Sequence, residues 1–292
     1  MGNEFRYTEM EKRRALSAIF SRKTFADLLE FGDYDKFEII SRRYPLLSGP
    51  GKTYWDYLRS AYRYIKRHYR SEYVFKNEFL TQVLLKQYGT LNTAVFSEFR
   101  IVHSVADVAL FNGESKAYEI KTEYDSPARL SSQLAEYSKL FDKSYLITSE
   151  ACLDKYLPLL SERTGVMVMA DSGGRPVLEM IRESEDNESL DVETLIKSLH
   201  TSEYKNIVRD YYGEVPEVSS FQMFNACREL LAGIPEKELR QSFLREIKKR
   251  KNNTASLRKI PPEIRQVFLS MRLGEENVET IKQLLDNPIN RN

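Results

Sequence analysis

The sequence predicts an α/β fold, with a central sheet flanked by helices and further helical regions on both sides along the chain. Short runs rich in Val, Ile, Phe and Tyr alternate with helical patterns between residues 93 and 181. Helical patterns dominate before and after this stretch, and the acidic, polar segment 183–190 reads as a linker. We therefore predict three consecutive regions: an N-terminal helical region (1–70), a core (71–182) and a C-terminal helical region (183–292).

The amino-acid composition limits which classes of protein this chain can belong to. The chain has 292 residues, of which 41% are hydrophobic and 30% charged, which is typical of an ordered protein with a large core. The net charge is only +1, so any basic surface must be local. Cys152 and Cys227 form no C-x-x-C pair, which disfavours a cysteine zinc site and a disulfide framework.

Targeting signals are not evident in the sequence. The first 20 residues are charged and lack an apolar segment, and no run of 18 apolar residues occurs. We therefore expect neither a signal peptide nor a membrane partner. Together with the cysteine usage, this favours a cytoplasmic location.

Two helical stretches open the chain. Residues 9–45 show mixed 3/4 apolar spacing, and Pro45 and the segment 48–51 interrupt it. Residues 53–70 form an amphipathic helix with Thr53 as its N-cap. Its basic stripe consists of Arg59, Arg63, Lys66, Arg67 and Arg70. The stripe is either a solvated helix face or a phosphate-contacting surface, and both interpretations stay open.

A third helix is predicted over 72–88, with Glu78 close to its apolar face. Glu78 is either a solvated glutamate or a carboxylate that leans toward acidic residues downstream. Residues 93–102 then form a strand. Alternation along it places Phe96 and Glu98 on one face and Phe99 on the other.

The next stretch predicts a hairpin that carries charged residues. Two strands, 107–111 and 117–122, flank the turn dipeptide Asn112-Gly113. Glu119 and Lys121 are two positions apart, so they project to the same face, beside Asp107 on the neighbouring strand. Two carboxylates and one ammonium at the end of a hairpin could hold a divalent metal. The alternative for such an acid-x-Lys pattern is a simple cross-strand salt pair.

The remaining elements follow from the same patterns. Asp125 or Ser126 caps a helix that has Pro127 in its first turn and ends near Leu140. Strands are predicted over 144–148, 166–170 and 176–181, with a helix near 150–162. Helical patterns cover 191–200, 203–212, 219–232, 236–250, 261–272 and 275–286. This tail could be a helix-turn-helix-like DNA reader, an oligomerisation unit or a lid.

The charged residues of the hairpin suit phosphodiester hydrolysis. Mg²⁺ prefers hard oxygen ligands, which Asp107, Glu119 and the carbonyl of Ile120 would supply. Lys121 can orient or deprotonate the attacking water and stabilise charge on phosphorus. Glu78 would complete the metal shell, and Mn²⁺ could replace Mg²⁺.

These residues resemble the motif of the PD-(D/E)XK nuclease superfamily, the fold of restriction endonucleases and RecB-type nucleases. The resemblance covers about residues 72–170 and implies a restriction-endonuclease-like core. Asp107, Glu119 and Lys121 match the catalytic motif, and Glu78 matches the helix glutamate that joins the metal. Gln133 and Tyr137 match the Q-x-x-x-Y element of RecB-like nucleases.

The run E-I-K-x-x-x-D-S-x-x-R-L-x-x-Q-x-x-x-Y is also similar to a group of small, uncharacterised bacterial proteins of this superfamily. Val105 departs from their pattern, in which a basic residue stands two positions before the aspartate. Ala106 stands where the superfamily's name has proline. Arg129 would contact a phosphate or pair with Asp125, and Tyr137 would contact nucleic acid or only pack its helix.

The resemblance implies a Mg²⁺-dependent nuclease that acts on DNA, in bacterial defence or DNA processing. Two alternatives stay open: a non-catalytic nucleic-acid-binding module, and a nuclease activated by a protein partner through the C-terminal helical region. Cutting of both strands would favour a homodimer with two sites.

Overall fold

The structure, a computed structural model, describes residues 8–187 and 189–289. The chain forms two compact units, each built from separate stretches. The helical unit comprises Met1–Gln87, Ala170–Leu178 and Ala255–Asn292, and the sheet unit comprises Tyr88–Met169 and Glu179–Thr254. This division differs from the three consecutive regions predicted, because later parts of the chain return to complete each unit.

Helices make up most of the described chain. In chain order the α-helices are α1 (Glu9–Ala18), α2 (Arg22–Phe31), α3 (Asp35–Arg43), α4 (Tyr54–His68), α5 (Glu72–Phe79), α6 (Leu130–Tyr137), α7 (Leu153–Tyr156), α8 (Val192–Ser198), α9 (Thr201–Tyr212), α10 (Ser220–Ala232), α11 (Glu236–Lys249), α12 (Arg265–Met271) and α13 (Glu275–Leu285). Short 3₁₀ segments lie at Glu150–Cys152, Leu157–Leu159, Thr254–Arg258 and Pro262–Ile264. The helix predicted near 150–162 is therefore a mixture of short helical pieces.

The predicted N-cap of α4 is confirmed. The Thr53 hydroxyl accepts a hydrogen bond from the Asp56 amide, and the Asp56 carboxylate accepts one from the Thr53 amide. Both bonds satisfy amides that the first helical turn leaves unpaired. The helix 72–88 is helical throughout, but only its first half is an α-helix. It continues as a π-helix over Leu80–Tyr88, a form that is rare at this length.

Six strands form one mixed sheet in the order β1-β2-β3-β4-β5-β6, and helices flank it. The strands are β1 (Ala94–Ile101), β2 (Ser104–Asn112), β3 (Glu114–Lys121), β4 (Lys143–Ser149), β5 (Gly165–Ser172) and β6 (Arg175–Arg182). β1, β2 and β3 are antiparallel neighbours, whereas β3 and β4, and β4 and β5, pair in parallel. The α/β class and all the predicted strands are thus confirmed.

The face assignment predicted for β1 is wrong. Phe96 and Phe99 both belong to the core of the sheet unit, with ring centroids 6.0 Å apart. The reason is Glu98, whose φ of 57° interrupts the alternation of the strand. A left-handed conformation is strained for any residue with a Cβ, and such strain concentrates near functional sites.

The helix after β3 starts later than predicted. α6 begins at Leu130, and Arg129 in the N-cap position makes no side-chain capping bond. The Asp125 carboxylate instead accepts hydrogen bonds from the amide and hydroxyl of Thr122, at 2.7 Å each. Asp125 therefore closes the turn that follows β3 and does not cap the helix.

The C-terminal helices do not form a separate region. α8, α9, α10 and α11 pack into the core of the sheet unit, where the Phe243 ring lies 6.0 Å from that of Phe111. The stretch predicted as a linker also runs along this unit, since Asn187 bonds to the backbone of Phe141 and Asp142. No helix in the described ranges is long and apolar enough to cross a membrane.

Candidate active site

Asp107 and Glu119 occupy facing positions on β2 and β3. The two strands pair Val108 with Tyr118, and extending this register by one residue sets Asp107 opposite Glu119. Directly opposed residues on antiparallel strands project to the same face. The Ile120 amide also donates a hydrogen bond to Asp107 Oδ2 at 2.8 Å, so the aspartate is tied to the strand that carries the glutamate.

Lys121 lies on the same face as Glu119. Its Nζ is 2.6 Å from Glu119 Oε1 and 3.1 Å from the side-chain oxygen of Gln133 on α6. The lysine side chain is only 12% exposed, so its position depends on these two acceptors. The Thr148 hydroxyl donates to the Lys121 carbonyl and holds this end of β3 against β4.

Tyr137, one turn after Gln133 on α6, closes the cluster. Its hydroxyl lies 2.5 Å from Glu119 Oε2 and 2.9 Å from the carbonyl of Val105. Each carboxylate oxygen of Glu119 thus has a donor within reach, Lys121 on one and Tyr137 on the other. We name these five residues the carboxylate cluster: Asp107, Glu119, Lys121, Gln133 and Tyr137.

Burial and the charge of Asp107 both raise the pKa of the Glu119 carboxyl above its ordinary value, against the opposing effects of Lys121 and Tyr137. Glu119 is almost completely buried, so its charged form loses hydration. Burial also raises the pKa of the Tyr137 hydroxyl, with the Glu119 charge as a second cause, so Tyr137 stays protonated at neutral pH. The carboxylate cluster thus holds one ammonium group, that of Lys121, and two carboxyl groups.

The raised pKa of Glu119 makes stability depend on pH. Because the folded protein binds the Glu119 proton more tightly than the unfolded chain, the contribution of Glu119 is complete below the ordinary pKa of 4.5. It is lost as the pH rises through the folded pKa. We expect the free energy of unfolding of the parent, minus that of Glu119→Gln, to fall over this range in buffer with EDTA. If urea titrations show that this difference in the free energy of unfolding grows with pH, the pKa of Glu119 is not raised in the folded protein.

The donor set fits a divalent cation only in part. The buried carboxylate of Glu119 and the half-buried one of Asp107 repel each other. With the Ile120 carbonyl predicted beside them, they are hard oxygen ligands of the type that Mg²⁺ takes. Within residues 8–187 and 189–289, however, no group of three or more His, Cys, Asp or Glu side chains is placed to hold a metal. Two protein carboxylates with several waters still match the usual coordination of Mg²⁺.

Glu78, predicted as a third carboxylate of the site, belongs to the helical unit. Its Oε1 accepts from the Tyr62 hydroxyl and pairs with Lys66 Nζ, both at 2.7 Å. Its Oε2 accepts from the side-chain amide of Gln82 at 2.6 Å. Gln82 also bonds to the backbone of Pro176 and Leu178. Glu78 thus holds together a polar network inside the helical unit, and its role as a metal ligand stays a prediction.

This network predicts a structural effect for Glu78. Glu78→Ala should lower the free energy of unfolding by about 1–3 kcal/mol, because Tyr62 and Gln82 would lose a buried acceptor. Glu78→Gln keeps an acceptor and should cost less. Glu30→Ala, at an exposed position on α2, is the matched control and should stay within about 0.5 kcal/mol of the parent in urea unfolding. An Ala variant as stable as this control would rule the network out.

A cleft of about 620 Å³ opens beside the carboxylate cluster. Gln133 belongs to both, since it lines the cleft and bonds to Lys121. Arg129 lines the cleft and is exposed, as its predicted phosphate contact requires. The other lining residues are His103, Ser104, Val105, Ser132, Ala135, Glu136 and Lys139.

Sequence reasoning missed some of these lining residues. His103 lies in the turn before β2, Ser104 is the first residue of β2, and Lys139 follows the C-terminus of α6. The 3/4 spacing of Arg129, Gln133, Glu136 and Lys139 was a usable signal for one polar helix face.

The predicted nucleic-acid-binding side chains of α4 lie in the helical unit. Arg59, Arg63 and Arg67 are exposed, whereas Lys66 is turned toward the buried Glu78. The stripe seen in the sequence therefore splits into a solvent-facing row of arginines and one lysine that belongs to the internal network.

Comparison with known proteins identifies a family. The family model described as Bacteriophage P4 protein cII matches residues 65–269, which is more than half of the chain and includes the whole carboxylate cluster. The chain belongs to this cII family. Protein cII of Enterobacteria phage P4 is 24% identical over 152 residues, which are 52% of this chain and 56% of that protein. The chain thus spans about half the length of the curated relative it matches.

Among solved structures, a protein of unknown function from Silicibacter pomeroyi aligns with 49% of this chain and 94% of its own, at 16% identity. The TM-score of that alignment is 0.30, which is too low to establish a common fold.

Proposed function

We propose that this cII-family protein is a divalent-metal-dependent nuclease that hydrolyses phosphodiester bonds, with DNA as its substrate and a restriction-endonuclease-like core in its sheet unit. The observation that supports this most is the carboxylate cluster. Two facing carboxylates, a lysine held between Glu119 and Gln133, and a cationic cleft that shares Gln133 are combined in one unit. A cross-strand salt pair alone would need neither the facing aspartate nor the helix residues.

Asp107 and Glu119 would hold the metal, with the Ile120 carbonyl as a further ligand. A bound Mg²⁺ or Mn²⁺ would polarise the phosphate and lower the pKa of a water molecule. The mutual repulsion of the carboxylates, which raises the pKa of Glu119, would be relieved by such a cation. Metal loading and deprotonation of Glu119 would therefore occur together.

Lys121 is the residue placed to act on the nucleophile and on the phosphate. Its ammonium group is largely buried, where a charge interacts more strongly than it does in water. Gln133 accepts a hydrogen bond from it and would align it toward the cleft. Lys121 would orient the attacking water, and it would stabilise the negative charge that develops on the phosphate oxygens.

The cleft would receive the nucleic-acid strand. Arg129, Lys139 and His103 can supply donors to phosphate oxygens, and one carboxylate, Glu136, opposes them. Arginine suits this task because its planar guanidinium can bond two phosphate oxygens at once. A strand in the cleft would pass next to Gln133 and Lys121.

The deciding experiment incubates the protein with linear duplex, circular duplex and single-stranded DNA, and with RNA, each with Mg²⁺, Mn²⁺ or EDTA. We expect metal-dependent cleavage of DNA by the parent and none by Glu119→Gln. Binding of DNA without cleavage under every metal condition would favour the non-catalytic module. Cleavage that appears only on addition of a cell extract would favour the partner-activated nuclease. Absence of both binding and cleavage would reject the proposal.

A further inference from the structure

The outward face of α4 is cationic, and the acidic side chain on it, Asp56, lies in the first turn, where its carboxylate accepts a hydrogen bond from the Thr53 amide. We name it the arginine face; its residues, at successive 3/4 spacings, are Arg59, Ser60, Arg63, Tyr64, Arg67 and His68. Arg59, Arg63, Arg67 and His68 are exposed. Residues four apart rise by about 6 Å along a helix, so the three guanidinium groups form a row parallel to its axis.

The helix that bears this face is held firmly. Its other side is buried, with Tyr57, Leu58 and Ile65 at 1% exposure or less. The Thr53–Asp56 capping box fixes its first turn, and the Lys66–Glu78 ion pair anchors its last turn. Surface charges on such a helix keep their mutual spacing, which lowers the entropic cost of binding a partner.

Aromatic rings support the charges of the arginine face. The Arg59 guanidinium lies 4.9 Å from the Trp55 ring centroid, and Lys12 Nζ lies 4.3 Å from that of Tyr64. Among the described residues, no ion pair with a carboxylate is found for Arg59, Arg63 or Arg67. Like charges at i,i+4 destabilise a helix by roughly 0.2–0.5 kcal/mol per pair, so the repulsion within the row opposes folding.

The charged residues are unevenly distributed between the two units. The segments of the helical unit contain 24 lysines and arginines against 17 aspartates and glutamates, whereas those of the sheet unit contain 20 against 26. The net charge of +1 for the whole chain therefore conceals a cationic unit and an anionic one. Long-range attraction of a polyanion must come mainly from the helical unit.

We propose that the arginine face of α4 is an electrostatic binding surface for the phosphodiester backbone of a nucleic acid. The proposal rests on the proposed function only in that the substrate is a nucleic acid. A row of guanidinium groups matches a linear array of phosphates, which arginine binds through two oxygens. The neighbouring, half-buried Tyr64 suits contact with sugars or bases better than contact with an acidic peptide. The arginine face would supply electrostatic affinity for nucleic acid, which the net negative charge of the sheet unit does not favour.

The test measures binding in EDTA, so that cleavage is irrelevant. Fluorescence anisotropy gives the Kd for a labelled duplex at several salt concentrations. The triple variant Arg59→Gln/Arg63→Gln/Arg67→Gln should reduce the slope of log Kd against log salt by about 2 to 3, because each phosphate contact contributes about 0.9.

The variant Lys23→Gln/Lys36→Gln/Lys259→Gln removes the same charge from exposed positions of the helical unit and should leave the slope unchanged. The triple Arg→Lys variant should retain most of the slope.

An equal loss of slope in the lysine control, or no loss in the arginine variant, would overturn the proposal. So would binding to polyglutamate that the arginine variant loses while its binding to DNA is unchanged. Single-stranded DNA and RNA probes show which backbone is preferred. Cleavage by the parent protein with Mg²⁺ is measured in parallel. A reduced slope without cleavage supports the arginine face and counts against the nuclease, and cleavage with an unchanged slope does the reverse.

Discussion

Replacement of Lys121 by glutamine should lower the rate of phosphodiester cleavage about 10²–10⁴-fold, the usual effect of losing a positioned acid–base group. The variant should remain folded, because the substitution changes one side chain and the Tyr137 hydroxyl still donates a hydrogen bond to Glu119. The loss should appear in kcat, since Lys121 would act on the reacting water and phosphate and contribute little to binding the strand.

Lys197→Gln is the matched control for this variant. Lys197 is exposed on α8 in the same unit and pairs only with a helix neighbour, Glu193, among its described ion pairs. Its rate should equal that of the parent. Circular dichroism and urea unfolding show whether the Lys121 variant is folded. A folded Lys121→Gln protein that cleaves at the parental rate would remove Lys121 from the catalytic mechanism.

Truncation of Phe243 to alanine should reduce the free energy of unfolding by about 3–5 kcal/mol, as expected for a buried phenylalanine. Phe243 is 2% exposed on α11, and its ring contacts that of Phe111 on β2. Phe111 contacts Phe96, Phe99 and Phe141, so the cavity would open in the centre of this aromatic core. The effect would show that the C-terminal helices stabilise the sheet that carries the carboxylate cluster.

Phe221→Ala is the control, because Phe221 is on α10 of the same unit but 94% exposed. Its stability should change by less than about 0.5 kcal/mol. Thermal and urea unfolding of both variants measure the difference. If Phe243→Ala were as stable as Phe221→Ala, α11 would not share the core of the sheet unit, and a detachable C-terminal region would be the better description.

Local pattern alone predicted much of this protein. Apolar periodicity located the helices and strands, because burial of one face imposes the period of each element. The Asn112-Gly113 turn and the two-residue spacing of Glu119 and Lys121 predicted the hairpin and its shared face, since turn type and strand pleat depend on neighbouring residues. The Thr53 cap of α4 was also predictable, because a capping box spans only four residues.

Contacts between distant parts of the chain decided the rest. Glu98 adopts a left-handed conformation that no alternation pattern foretells, and it brings Phe96 and Phe99 into one core. Glu78 finds its partners within the helical unit, and Tyr137 finds Glu119 across 18 residues. The raised pKa of Glu119 depends on burial and on Asp107, which the strand pairing sets opposite it.

The sequence by itself thus determined the α/β class, the order of the elements and the carboxylates, lysine, glutamine and tyrosine of the candidate site. Only the tertiary structure decided that separate stretches of chain complete each unit, and that α4 divides its basic residues between an internal ion pair and an exposed row. The physical reason is that periodicity reports which side of an element is buried. The partner that covers that side is chosen by packing and charge between residues far apart in the chain.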